Sequence, residues 1–168
     1  VYIADLKLWV GKYEIAVDQY RLFHSETFYE GRKDADGNYL KHLEGKDETP
    51  AREGYPIVWI SWNNAAKFCE WLSEKSGASF RLPTEDEWER AARAGANTTF
   101  VWGDDVSRAS EYAWFSGNAG GLQASGRKKP NAYGLYDMSG NAWEFCSGWF
   151  DKYQRSRPLR GGSWFSEL

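Results

Sequence analysis

The sequence predicts an α+β domain with two main helices, small antiparallel strands and long ordered loops. Three observations predict it. Two stretches carry a capping residue, an apolar stripe at helical spacing and a glycine stop. Near the start, Leu6, Leu8 and Val10 alternate with Lys7 and Trp9, as a strand does. Residues 97–168 are short aromatic stretches separated by Gly, Asn, Ser and Pro, with no helical period.

In chain order, the alternating run predicts a first strand over 6–10. Asp18 to Ser25 carries Tyr20, Phe23 and His24 at helical spacing and predicts a short helix. Tyr29 to Gly54 is polar, with Asp36-Gly37 as a turn signal, and reads as an irregular surface excursion. The apolar run Ile57 to Ile60 leads into a helix capped by Ser61. There Ala65, Phe68, Cys69 and Leu72 fall at i, i+3, i+4 and i+7, and Gly77 ends the helix. Phe80 to Pro83 is extended, because a residue before proline avoids the helical region. Thr84 and Glu87 then form a capping box, and Glu85 and Asp86 sit in the first turn with Arg90 and Arg93 in the last. Asp86–Arg90 and Glu89–Arg93 are i,i+4 pairs, Trp88, Ala91 and Ala92 supply the buried face, and Gly95 is the stop.

With 168 residues, the chain fits one domain that can bury a core without a metal or disulfide staple. Aromatics are 17% of it, ten of them Trp, so burial proceeds mainly through large rings with polar edges. A net charge of −3 gives no footprint for nucleic acid or an anionic membrane. No run approaches the ~20 apolar residues of a membrane helix. Two cysteines give no disulfide framework. The chain opens on a strand-like run and stops at Trp164-Phe165-Ser166-Glu167-Leu168, so the expectation is one domain over 1–168, incomplete at its C-terminus.

Six blocks, in order, resemble the formylglycine-generating-enzyme/sulfatase-modifying-factor family: GKYEI with Gln19-Tyr20 and Phe23, VWISWNNAAKFCEWL, RLPTEDEWERAAR, WGD, PNAYGLYDMSGNAWEF and LRGGSW. The resemblance implies a C-type-lectin-like fold. It leaves activity open, because the family includes copper-dependent oxidases, iron-dependent sulfoxide synthases and the variable ligand-binding proteins of diversity-generating retroelements.

Residue by residue, the catalytic readings lose ground. The oxidase resemblance implies two copper-binding cysteines just after the GGS turn, soft ligands suited to Cu(I). Ser166 stands where the first would be, and the second position lies past Leu168. Cys69 and Cys146 do not match that pair and read as buried, inert thiols. The sulfoxide synthase implies a histidine cluster, and only His24 and His42 are present. No catalytic residue is assigned.

The loop DMSGNAWE resembles a family calcium site, which implies Ca²⁺ held by Asp137, Glu144 and the carbonyls of Gly140 and Ala142. That set suits a hard cation wanting six to eight oxygens. The alternative is a turn in which Asp137 caps its own backbone and Glu144 pairs with an arginine. In the variable proteins the displayed positions follow GGSW, which implies a ligand surface of Trp164, Phe165, Ser166 and Glu167. Trp149 and Tyr153, with Phe150, Lys152, Arg155 and Arg157, flank it or form an ordinary solvated face. Trp164 also fits an edge strand, and Arg127-Lys128-Lys129 a solvated loop. The residues and the resemblance therefore favour a non-enzymatic domain on a C-type-lectin-like scaffold, of the kind of the retroelement-diversified variable proteins, binding a protein or other surface ligand. The alternative is a formylglycine-generating-type oxidase or related enzyme with catalytic residues beyond Leu168.

Overall fold

A computed structural model describes residues 1–27 and 53–167. Apart from Glu53 and Gly54, the predicted polar excursion lies outside the described residues.

The expected first strand is two. β1 (Tyr2–Ile3) pairs antiparallel with β2 (Leu8–Trp9), with Tyr2 opposite Trp9 and Ile3 opposite Leu8. Between them the chain reverses: Leu6 N–H donates to the Ile3 carbonyl, Lys7 N–H to that of Ala4, and Lys7 takes φ +53°. Leu6 and Lys7 belong to this turn, so the alternation continued through a reversal.

Three helices follow where the sequence placed them. α1 (Val17–Thr27) buries Val17, Tyr20 and Phe23. α2 (Trp62–Ser76) starts at Ser61, whose hydroxyl accepts from Asn64 N–H, and ends at Gly77 in the left-handed conformation. Of its stripe Phe68 is buried, while Ala65, Cys69 and Leu72 are half-buried. Tyr20 stacks on Phe68 at 5.7 Å and Phe23 meets it edge-on, which locks α1 to α2. Burying one such ring contributes about 1.5–3 kcal/mol. α3 (Glu85–Arg93) carries both bonds of the Thr84–Glu87 capping box. Arg81 grips Glu87 at 2.7 Å, and that bond holds the Glu87 carboxyl down at about 2. Trp88, Ala91 and Ala92 pack with Ile3, Leu135, Met138 and Cys146 in a second core cluster.

One helix escaped the sequence. A 3₁₀ turn (Val106–Arg108), capped by the Asp105 carboxylate on Ser107 N–H, runs into α4 (Ala109–Tyr112). A single turn cannot display a 3.6-residue period. It is held instead by Ala109 and Ala113 packing with Trp102, which stacks on Phe100 at 4.6 Å.

The loop-rich second half is closed by β3 (Glu144–Phe145) pairing antiparallel with β4 (Leu159–Arg160). Trp114 and Gly140 form a parallel bridge. Gly140 sits at φ +84°, and a Cβ there would lie 1.9 Å from the Trp114 carbonyl oxygen. Only glycine permits that approach. Gly140→Ala is expected to cost about 3 kcal/mol in urea unfolding, while Gly121→Ala, which meets nothing within 4 Å, stays within about 0.5 kcal/mol. Equal unfolding midpoints would show that the bridge is not a constraint.

Candidate functional site

The stretch from Asp137 to Glu144 is organised by Asn141, which is fully buried at φ +61°. Its Nδ2 donates to Glu14 Oε2 at 2.7 Å and to the Gln123 carbonyl at 3.1 Å, and its Oδ1 accepts from Gln123 N–H at 3.0 Å. Its backbone N–H donates to the Trp114 carbonyl, and its carbonyl accepts from Trp164 N–H at 2.9 Å. One residue thereby ties the segment between β2 and α1, two loops and the terminal turn together. The Glu14 carboxyl, buried, also accepts from Ser125 Oγ at 2.6 Å and from Ala142 N–H at 3.1 Å.

Three carboxyls share this region. Burial pushes Glu14 well up, helped by the charges of Asp137 and Glu144. Burial likewise raises Glu144 to about 7, against a hydrogen bond from Trp88 Nε1 at 2.9 Å. Asp137 is raised by burial, which outweighs its bond from Gly126 N–H and the charge of Lys128. Asp137 is 2% exposed, and its Oδ1 is buried with no hydrogen-bond partner. An orphaned carboxylate oxygen inside a protein is costly. Asp137 caps Gly126, not its own backbone, and Glu144 pairs with Trp88, not with an arginine. Among the described residues no three His, Cys, Asp or Glu side chains converge as a metal cluster.

Against this loop lies the terminal turn. Ser166 Oγ accepts from Ser163 N–H at 3.1 Å and shares a 3.0 Å bond with Ser163 Oγ, while Ser166 N–H returns to the Ser163 carbonyl. Trp164 is therefore in a turn, not an edge strand. A cleft of about 160 Å³ opens here, with Phe100, Trp102 and Phe115 at its sides and Ser139, Ser163, Ser166 and Glu167 supplying polar groups. Phe165 is 61% exposed and meets Trp164 edge-on at 5.4 Å. The structure thus brings Ser166 and Glu167 to one cleft with Gly140, and leaves Phe165 projecting beside them.

Trp149 and Tyr153 do not line that cleft; they stand on the excursion between β3 and β4. Lys128 is not simply solvated: it lies 3.7 Å over the Trp114 ring and donates to the Ser110 carbonyl, and Lys129 bridges Glu111. Glu14 and Asn141 were missed as site residues. The only signal was a lone acid in GKYEI and a polar residue in SGNAW, and neither announces a partner 127 residues away.

The family can now be fixed. The model of the sulfatase-modifying factor enzyme 1-like domain matches residues 4–168. The chain belongs to this family. It is 33% identical over 157 residues to a formylglycine-generating enzyme of Streptomyces coelicolor, covering 76% of this chain and 48% of that protein. It is 34% identical over 122 residues to the inactive C-alpha-formylglycine-generating enzyme 2 of Bos taurus, covering 66% and 38%. The chain spans about half, or less, of the length of these curated relatives. Among solved structures, Treponema denticola variable protein 1 superposes with a TM-score of 0.68 at 23% identity, over 92% of this chain and 72% of that one. The α+β fold is that of the formylglycine-generating-enzyme family.

The raised carboxyls set a pH dependence. A carboxyl whose folded value exceeds its unfolded one binds a proton more tightly when folded. Its stabilisation is full below about pH 4.5 and fades as the pH climbs through the folded value. Glu87, held at about 2, is ionised from pH 5 to 8, so its stabilising contribution is constant there and adds no slope. In EDTA the melting temperature is therefore expected to fall from pH 5 to pH 8, and Glu144→Gln, which keeps an acceptor for Trp88, should flatten the fall. A melting temperature that rises over that interval would contradict the assignment.

Proposed function

We propose that the chain is a non-enzymatic ligand-binding domain whose terminal turn displays the contact surface. One observation carries this reading. Ser166 occupies the position implied for the first copper cysteine, and its hydroxyl is engaged with Ser163 in shaping the turn. A hydroxyl is too hard a donor to stand in for a thiolate on Cu(I). The other thiols do not compensate: neither Cys69 nor Cys146 lines the cleft. Burial raises the Cys69 thiol and pushes that of Cys146 up to about 12, so neither is a ready nucleophile. Phe165, solvent-facing beside the cleft, has the size and rigidity of a binding anchor. The fold shared with a variable protein supports the reading. The identity with a formylglycine-generating enzyme favours the second one, a copper oxidase.

Calcium belongs to the same proposal. Asp137 and Glu144, with the carbonyls of Gly140 and Ala142, would hold Ca²⁺, supported by the partnerless buried Asp137 Oδ1. Bound there, the ion would supply a fixed positive charge among carboxyls that otherwise favour protonation. Its role is structural: the loop it would brace is the one hydrogen-bonded to the terminal turn.

The purified chain, incubated with copper and a thiol-bearing peptide, is expected to form no aldehyde above the metal-only blank. Oxidation in proportion to copper loading would overturn the reading. Dodecapeptides selected on the immobilised chain from a phage-displayed library should lose at least about tenfold in affinity to Phe165→Ala, the size of effect typical of an anchor. Undiminished binding removes Phe165 from the surface. Separately, millimolar Ca²⁺ added after EDTA is expected to raise the melting temperature, more at pH 8 than at pH 5, because protons compete for the same oxygens. An unchanged value with no metal by elemental analysis would remove the ion.

A further inference from the structure

Residues 146–158 form an excursion that the terminal cleft does not use. Cys146 N–H donates to the Pro158 carbonyl and Phe150 N–H to that of Ser156, so the chain leaves β3 and returns to β4 as a hairpin. The tip is rigid for a local reason. Asp151 accepts from the backbone N–H groups of Tyr153 at 2.8 Å, Arg155 at 3.2 Å and Ser156 at 2.9 Å. Below the tip the Arg157 guanidinium lies 3.4 Å from the Trp149 ring and 3.6 Å from the Trp62 ring, and its Nη1 donates to the Gly148 carbonyl. Two indoles thus hold the guanidinium between them.

The charge pattern at this tip differs from that before and on α3, around α4 and on β4. Arg81, Arg90, Arg93, Arg108 and Arg160 each have a carboxylate within 4.0 Å. Among the described residues no ion pair engages Lys152, Arg155 or Arg157, and the one acid of the tip, Asp151, has its oxygens committed to backbone N–H groups. Lys152 and Arg155 flank the Tyr153 ring at 5.0 and 5.1 Å. Phe150 is 72% exposed and Tyr153 64%. Three unmatched cations thus interleave with three exposed rings on a preorganised turn.

We infer that this hairpin tip docks an acidic segment of a partner protein, its carboxylates on Lys152, Arg155 and Arg157 and its apolar side chains on Trp149, Phe150 and Tyr153. The proposal rests on the reading of the chain as a binding domain and names the chemistry of one partner. A stacked guanidinium has little freedom left to lose and suits a carboxylate. Exposed aromatic and arginine side chains are the residue types that carry binding energy at protein interfaces. A net charge of −3 opposes long-range attraction to an extended polyanion or an anionic bilayer, whereas a short acidic segment needs only the local patch.

The test is fluorescence anisotropy with a fluorescein-labelled peptide of alternating Glu and Tyr, titrated with the chain at 0.1 M salt. Saturable binding is expected, weakening as salt rises. The double variant Lys152→Glu with Arg155→Glu touches only exposed side chains. It should lose at least about tenfold in affinity, equivalent to 1.4 kcal/mol, with an unchanged melting temperature. Equal binding by the variant, no saturation, or preferential binding to phosphatidylserine vesicles or single-stranded oligonucleotide would overturn the inference. The copper assay separates the two claims: peptide oxidation refutes the binding-domain reading, whereas a flat titration without oxidation refutes only this docking site.

Discussion

The side chain of Asn141, enclosed at the centre of the second half, is the tie on which the rest of the site depends. It donates to Glu14 near the start of the chain and exchanges two bonds with Gln123, and its backbone engages Trp114 and Trp164. These segments have little regular structure, and few of their backbone groups are satisfied by helix or sheet ladders. A buried polar network of this kind is stabilising only when its members are paired, because an unpaired group costs its full desolvation. Here that condition fixes where the terminal turn sits. Gly140 lets the loop approach Trp114, Asn141 holds it, and Trp164 hangs from its carbonyl.

The same loop carries an electrostatic burden that hydrogen bonding does not remove. Glu14, Asp137 and Glu144 are held where ionisation is unfavourable, and Asp137 keeps one oxygen without a partner. A proton relieves that burden, as would the cation proposed above, and the loop that carries these carboxyls is the one hydrogen-bonded to the terminal turn. The face itself offers rings and hydroxyls. Where the oxidase resemblance calls for a thiolate, the chain places a serine that closes a turn. The hairpin from 146 to 158 follows a similar economy: Asp151 is consumed inside the tip, leaving its cations unmatched on the outside.

Much of the helical frame was legible in the sequence because its determinants are local. Ser61, Gly77, the Thr84–Glu87 box and the Trp88 face each act within a few residues, and each stands as read. The turn at Leu6–Lys7 was hidden because alternation does not register a reversal, and α4 because one turn has no period. The candidate loop and the terminal positions were found through family resemblance, which gave Asp137, Gly140, Ala142 and Glu144 but not the groups that support them. Glu14 and Asn141 meet across 127 positions, a pairing that leaves no mark in either neighbourhood. The cations at 152, 155 and 157 looked like any solvated loop, since their lack of partners is a property of the folded surface.

The most direct measurement of this account is hydrogen exchange at the Trp164 amide in Asn141→Gly. Glycine tolerates the left-handed backbone at this position, so the substitution removes the side-chain bonds while sparing the conformation. If Asn141 is the tie, protection at Trp164 collapses by at least about two orders of magnitude, nearly 3 kcal/mol, while amides within α2 and α3 hold out longer. Trp164 protection equal to that of the unsubstituted chain would mean that the terminal face is held by something other than this network.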